Sequence, residues 1–174
     1  PTNITYGDDE SISVAVPIKN ATGTLVIKIN GTEIYSGGCG GEDNHHFTLT
    51  VPGLAVGEYN VTAEYSADPN YEDCDVSALF HVDKASSSVT VVPTNITYGD
   101  VESITGSVPI TNASGTVVVK VNGSEVYSVS FSGVDSPTFS CTVPGLAVGE
   151  YNVTVFYSGD PNYLDSDVSA LFHV

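Results

Sequence analysis

The sequence predicts an all-β chain of two tandem β-sandwich domains, residues 1–83 and 84–174, on three observations. The first is a repeat. Pro1-Thr2-Asn3-Ile4-Thr5-Tyr6-Gly7-Asp8 returns as Pro93 through Asp100, Val51 through Thr62 as Val143 through Thr154, and Asp75 through Val82 as Asp167 through Val174. The offset is 92 residues at all three places, and about two-thirds of the aligned positions are identical. A period of that length suits a small domain with its own core, not a solenoid unit. The second observation is period-2 alternation of apolar and polar residues, without helical periodicity. The third is the regular punctuation of these runs by turn residues.

Each strand follows from its own pattern. Ile12, Val14 and Val16 alternate with Ser11, Ser13 and Ala15, and Leu25, Ile27 and Ile29 with Val26, Lys28 and Asn30. Phe47, Leu49 and Val51 alternate with Thr48 and Thr50. Tyr59, Val61, Ala63 and Tyr65 alternate with Asn60, Thr62 and Glu64, and Val76, Ala78, Phe80 and Val82 with Ser77, Leu79 and His81. One apolar face per run is what an antiparallel sheet with one buried side requires. Asn30-Gly31 and Asn122-Gly123 have the composition of a type I′ hairpin turn. Pro52-Gly53 and Asp68-Pro69-Asn70 mark further loops. Ser88-Val89-Thr90-Val91-Val92 reads as a strand after a short linker around Asp83–Ala85, and the chain reads as an excerpt of something longer.

One segment narrows the sandwich to an immunoglobulin-like topology. Gly57-Glu58-Tyr59-Asn60-Val61 has the Gly-x-Tyr-x-core spacing of a tyrosine corner, whose hydroxyl bonds backbone just upstream. Val61 and Val153 stand where antibody domains carry the second inter-sheet cysteine, and the chain has no Trp.

Composition excludes several function classes. With 21 acidic residues, 4 basic ones and a net charge of −17, the surface repels phosphate backbones and anionic lipid, so nucleic acid is not an expected partner. No apolar run is long enough for a helical membrane span. The chain is expected to be monomeric.

The residues that could carry chemistry are few. Asn-x-Ser/Thr sequons occur at Asn3, Asn20, Asn30, Asn60, Asn95, Asn112, Asn122 and Asn152. That is eight where composition alone gives about two, so the chain is expected to be glycosylated in its host. The alternative is that Asn-Gly serves the turns and the rest is a Ser/Thr-rich β surface. Cys39 and Cys74 fall at the same end of an immunoglobulin-type sandwich and are expected to form a disulfide. Cys141 reads as a small buried hydrophobe. His45-His46 lacks a third ligand and reads as surface histidine. Asp8, Asp9, Glu10, Glu58, Asp135, Asp160, Asp165 and Asp167 offer oxygen ligands for calcium at a domain junction, although solvated acidic loops are the default and no cofactor is expected. Gln is absent, which excludes Thr–Gln ester and Cys–Gln thioester bonds. Lys28 and Lys120 point outward by alternation, away from any isopeptide partner. No catalytic motif occurs, so an enzyme is not expected.

Gly23 through Gly31, Leu54 through Ser66 and Asp68-Pro69-Asn70-Tyr71, with Tyr157-Ser158-Gly159-Asp160-Pro161-Asn162-Tyr163 in the second copy, resemble the prokaryotic Ig-like repeats of large cell-surface adhesins. They are most similar to those of the adhesin-like proteins of methanogenic archaea. The resemblance implies an extracellular, cell-wall-associated glycoprotein. Its repeats would form a stalk that presents or contributes to binding of another cell, or of a host glycan or protein. The alternative is a carbohydrate- or protein-binding module. Its site would be the segment where the copies diverge most, Ser36–His46 against Ser128–Thr138.

Overall fold

The computed structural model describes residues 1–174 and contains strands and no helix. It divides into two compact units, Pro1–Lys84 and Ala85–Val174. Each is an immunoglobulin-like β-sandwich.

Unit 1 contains β1 (Ile4–Thr5), β2 (Glu10–Val16), β3 (Thr24–Ile29), β4 (Thr32–Gly38), β5 (His45–Val51), β6 (Gly57–Ser66) and β7 (Cys74–Asp83). One sheet runs β1-β7-β6-β3-β4, and the facing one is β2-β5 alone. All pairings are antiparallel except β1 with β7. Unit 2 contains β8 (Thr90–Val92), β9 (Glu102–Ser107), β10 (Thr116–Val121), β11 (Ser124–Ser130), β12 (Thr138–Val143), β13 (Glu150–Tyr157) and β14 (Ser166–His173). Its sheets run β11-β10-β13-β14 and β12-β9-β8. The second sheet of unit 2 therefore has one strand more than its counterpart.

The predicted alternation places the cores. Ile12, Leu25, Ile27, Val61 and Phe80 are buried in unit 1, as Ile104, Val117, Val119, Val153 and Phe172 are in unit 2. Cys141 is buried between the sheets, as its strand position predicts. Asn30 and Gly31 have φ of 48° and 80°, and Asn122 and Gly123 have 48° and 84°, the left-handed pair that a type I′ turn demands. The tyrosine corner is present twice. The Tyr59 hydroxyl donates to the Ala55 carbonyl at 2.9 Å, and Tyr151 to that of Ala147 at 2.9 Å. Each ring stacks 5.3 Å from a buried phenylalanine, Phe80 or Phe172.

One expected face is not covered. Val76 and Ala78 have the parity of the buried Phe80 and Val82, yet both are exposed, Val76 at 64 %. Their counterparts Val168 and Ala170 are half-buried, because β8 lies against that part of unit 2.

The cores also differ by an exchange of glycines. In unit 2 a side chain at Gly106 would collide with the Thr90 carbonyl of β8 and the ring of Phe139. Unit 1 has Val14 there, and its Phe47 stacks on Tyr35, with centroids 3.9 Å apart. Tyr35 in turn lies over Gly37, where a side chain would collide with its hydroxyl; unit 2 has Val129 at that place. Each unit thus uses one glycine to seat its aromatic ring, at different sites. Gly106→Val should destabilise unit 2 by about 2 kcal/mol, the cost of overpacking a filled core. Denaturant unfolding checks this, and an unchanged midpoint would show that β8 yields freely.

Candidate functional site

A dense polar constellation of each unit is built on its Asp-Pro-Asn loop. Tyr65 ends β6 with its ring inward. Its hydroxyl accepts from the Gly23 N–H at 3.0 Å and donates to Asp68 Oδ2 at 2.5 Å. Gly23 has no side chain because one would strike this ring. Asp68 also accepts from the backbone N–H groups of Thr22 and Asn70, both at 2.8 Å. In unit 2, Asp160 accepts from the Tyr157 hydroxyl at 2.8 Å and from the N–H groups of Ser114, Asn162 and Tyr163 at 2.8 to 3.1 Å. The Tyr65 hydrogen bond, with those from Asn70 and Thr22, holds the Asp68 carboxyl well below the usual carboxylate range. Burial pushes Asp160 up, but its four donors outweigh it and hold that carboxyl low as well. Burial, then the bond to Asp160, pushes the Tyr157 phenol up to about 12. The chemistry is that of a loop lock: an ionised acceptor fixing one backbone turn against the next sheet edge.

A second buried carboxylate was not read from the sequence as a core element. Glu10 and Glu102 are fully buried. Glu102 accepts from the Thr94 N–H at 2.8 Å and the Thr94 hydroxyl at 3.2 Å, and Glu10 from the Thr2 N–H at 2.9 Å. Glu10 shares parity with Ile12, which was the available signal. This corrects its reading as a loop ligand for calcium, since the side chain points into its own sandwich. Asp135 and Asp160 are likewise committed within unit 2, Asp135 to the Asn112 N–H at 2.8 Å. No group of three or more His, Cys, Asp or Glu side chains converges to hold a metal ion.

The expected Cys39–Cys74 disulfide is absent, and all three cysteines are free. The Cys39 N–H donates to the Gly23 carbonyl at 2.9 Å, and the residue is only 1 % exposed, its side chain in the core. Burial raises its thiol pKa, with Asp68 and Glu42 adding to the effect. Cys74 lies exposed at the start of β7, in register with Tyr65. Inward packing at one cysteine and edge exposure at the other keep them apart.

All eight sequon asparagines are exposed. Most also have local backbone roles. Asn20, Asn30, Asn112 and Asn122 have positive φ, which Asn tolerates better than other residues with a side chain. Asn3, Asn30, Asn95 and Asn122 accept backbone N–H groups through Oδ1, from His81, Asn60, His173 and Asn152. Asn60 and Asn152 lie on the polar faces of β6 and β13.

The divergent strip keeps its frame in both units. Ala21 bridges Glu42, and Ala113 bridges Val134. Asp43 accepts from the Asn20 N–H at 2.7 Å, as Asp135 does from that of Asn112. What changes is the surface: Gly40-Gly41 and a His45–Glu42 contact of 2.9 Å in unit 1, against Ser132-Gly133 and a buried Pro137 in unit 2. Lys28 lies on the outer sheet face, 2.7 Å from Glu64. His81 and His173 lie outside as well, 3.6 and 3.7 Å from Glu58 and Glu150.

Residues 89–174, just under half of the chain, match the family model described as Bacterial Ig-like domain (group 3). No curated protein matches the chain. Among solved structures, it is similar to the fibronectin(III)-like modules of Clostridium thermocellum CbhA, with 18 % identity and a TM-score of 0.38, over 99 % of this chain and 88 % of that one. It is similar to the BSP domain of a biofilm-associated protein, with 21 % identity and a TM-score of 0.36, over 99 % of this chain and 28 % of that one. Bacteroides ovatus SGBP-B, in complex with a mixed-linkage heptasaccharide, gives 15 % identity and a TM-score of 0.34, over 99 % and 65 % of the two chains.

The loop lock has a defined pH signature. A carboxyl whose folded-state pKa is depressed contributes stability above the ordinary carboxylate range and loses it as pH falls through the folded value. Asp160→Asn should therefore cost about 1–2 kcal/mol at pH 7, the worth of hydrogen bonds to a charged acceptor. It should also flatten the acid limb of unit 2 stability below about pH 4. Unfolding midpoints from pH 2 to 7 read both effects, and parallel curves for the two proteins would remove the lock.

Proposed function

We propose that the chain is a structural and adhesive segment of a cell-surface protein, in which Ig-like repeats form a stalk that presents or contributes to cell binding. The observation that supports this most is duplication without insertion or deletion. Both copies keep the corner tyrosine, the buried glutamate, the loop-lock aspartate and the Asn-Gly hairpin at equivalent positions. What repeats is scaffold chemistry, and a series of modules of one size supplies spacing. The match of residues 89–174 to the bacterial Ig-like model agrees with that role. The net charge of −17 and glycans on the eight exposed sequons would keep such a stalk soluble. We take the segment to be extracellular, monomeric and non-catalytic, since its most hydrogen-bonded carboxylates fasten loops to sheets.

A second reading rests on the divergent strip. Its frame is the same in both units while its surface is not, the pattern of a loop free to acquire a ligand. In that case unit 1 is a carbohydrate- or protein-binding module with its site on Ser36–His46.

Two measurements test these readings. The purified chain should show no saturable binding to intact candidate partner cells or a glycan array beyond an unrelated Ig-like control. Binding that disappears when Ser36–His46 is exchanged for Ser128–Thr138 would replace the stalk reading by the module reading. Intact mass and site mapping of the protein from its native host should find glycans on some of Asn3, Asn20, Asn30, Asn60 and their counterparts. A mass equal to the bare polypeptide would remove glycosylation from the proposal.

A further inference from the structure

The outer face of the larger sheet differs between the units by one exchange. Val26, Lys28, Glu33, Thr62 and Asp75 of unit 1 return as Val118, Lys120, Glu125, Thr154 and Asp167 of unit 2, while Glu64 is replaced by Phe156. The pairings are equivalent. Val118 and Asp167 stand on either side of Phe156 across β10, β13 and β14, and Glu125, Lys120 and Thr154 form the next row. Val26, Glu64 and Asp75, then Glu33, Lys28 and Thr62, stand the same way in unit 1. There Lys28 Nζ donates to both Glu64 carboxylate oxygens, at 2.7 and 2.8 Å. In unit 2 that carboxylate is missing. Lys120 is exposed and makes no ion pair, and Phe156 is 40 % exposed. The six unit 2 residues line an open recess of about 390 Å³.

We propose that this recess binds a sugar acid, a pyranose ring that carries one carboxylate. Unit 1 shows what the lysine takes at this place. The acids beside Lys28, Glu33 and Asp75, do not keep the Glu64 carboxylate away, so Glu125 and Asp167 leave the same room beside Lys120. In unit 2 the ligand supplies that carboxylate, in a charge-assisted bond. Phe156 and Val118 give a flat apolar surface for the C–H face of the ring. Asp167 and Glu125 accept from its hydroxyls, and the Thr154 hydroxyl is held nearby, 3.1 Å from Ser169 Oγ. Successive rows lie about 7 Å apart, the span of one pyranose with its exocyclic carboxylate. An acidic peptide side chain lacks the apolar face, and an aromatic acid lacks the hydroxyls. The net charge of −17 works against a polyanion, so the carboxylate belongs to a lone acidic residue of an otherwise neutral glycan. One ring on one aromatic and one lysine gives roughly millimolar affinity. That is too weak to hold a lone chain on a glycan array and becomes useful by multivalency. The site lies outside the divergent strip, and its failure leaves the stalk reading standing.

The exchange between the units supplies the test, because each already folds with the residue that the other lacks. The full chain, labelled for NMR, is titrated with methyl glucuronide at constant ionic strength. Saturable shifts should centre on Val118, Lys120, Thr154 and Phe156 and spare their counterparts in unit 1. Methyl glucoside, which has the ring without the charge, and acetate, which has the charge without the ring, should each bind at least tenfold more weakly. Phe156→Glu should abolish binding, since it returns to Lys120 the partner that Lys28 has. Glu64→Phe should create a second site, in unit 1. Amide spectra of both variants report that the fold is kept. No saturable shift in unit 2, undiminished binding by Phe156→Glu, or no second site in Glu64→Phe would overturn the proposal. Acetate binding as well as the glucuronide would reduce the site to an anion on one lysine, and equal binding of methyl glucoside would remove the carboxylate; either overturns it. Shifts at Phe156 that grow with the concentration of the chain alone would assign the face to a second copy instead.

Discussion

With no more than 90 residues apiece, the two units have little core to spare. A domain of this size buries a modest share of its surface, so its stability rests on the completeness of one small apolar cluster. In unit 2 that cluster is closed by Val89, the residue just before β8, packed with Val117, Val119, Val153 and Phe172. In unit 1 the cluster stops at the edge of β7, where Val76 remains in solvent. Everything else in the fold serves this closure: the alternation that aims the side chains, the turns that fix register, and the polar groups that seal the ends.

The ends are sealed by carboxylates, which is unusual work for the charged residues of a small core. A buried acceptor without donors costs more than a typical hydrogen bond returns; each of these groups takes at least one backbone N–H, although Glu10 Oε2 is buried without a partner. Glu102 receives two donors from Thr94, and it draws the entry segment across the open end of the sandwich. Asp160 receives four and does the same for the opposite loop. The tyrosine corners complete the set at Tyr59 and Tyr151. Most of these ties are short in sequence, the bond from Ser114 to Asp160 being the long-range one, and none requires a metal or a disulfide. This explains why Cys39 is free to act as a core hydrophobe.

Much of this was legible in the sequence because a period of 2 is a local signal, and because two copies at a fixed offset mark which positions matter. The strands, the Asn-Gly hairpins and the corner tyrosines follow from that signal alone. Three features did not. Glu10 has the parity of Ile12, yet a charged residue is normally assigned to the surface, and only tertiary donors make its burial tolerable. The Cys39–Cys74 pairing followed from topology, which brings two residues to one end of a sandwich but does not fix the direction of their side chains. The exposure of Val76 and Ala78 could not be read from their strand, because it depends on a neighbour that the strand itself does not encode. The sequons show the opposite difficulty. An asparagine at positive φ in a hairpin and one that carries a glycan have the same sequence, and the structure supplies a backbone reason for six of the eight.

The glycine exchange shows how such repeats can diverge without losing the fold. Unit 1 seats Tyr35 over Gly37 and keeps Val14; unit 2 seats Phe139 beside Gly106 and keeps Val129. Neither glycine has room for the other unit's valine, because a side chain at Gly37 would meet the Tyr35 ring and one at Gly106 the Thr90 carbonyl and the Phe139 ring. In unit 1 Val14 pairs with Phe47, which stacks on Tyr35, and in unit 2 Gly106 pairs with Phe139. The unit 1 contacts span β2, β4 and β5, the strands that lead into the divergent strip. A surface loop next to a core with two alternative packings can change its residues while its anchoring bridge and aspartate stay in place. Variation at Ser36–His46 is thus permitted by the interior and confined by it. That is the property a repeated module needs if its copies are to differ on the outside and remain interchangeable within.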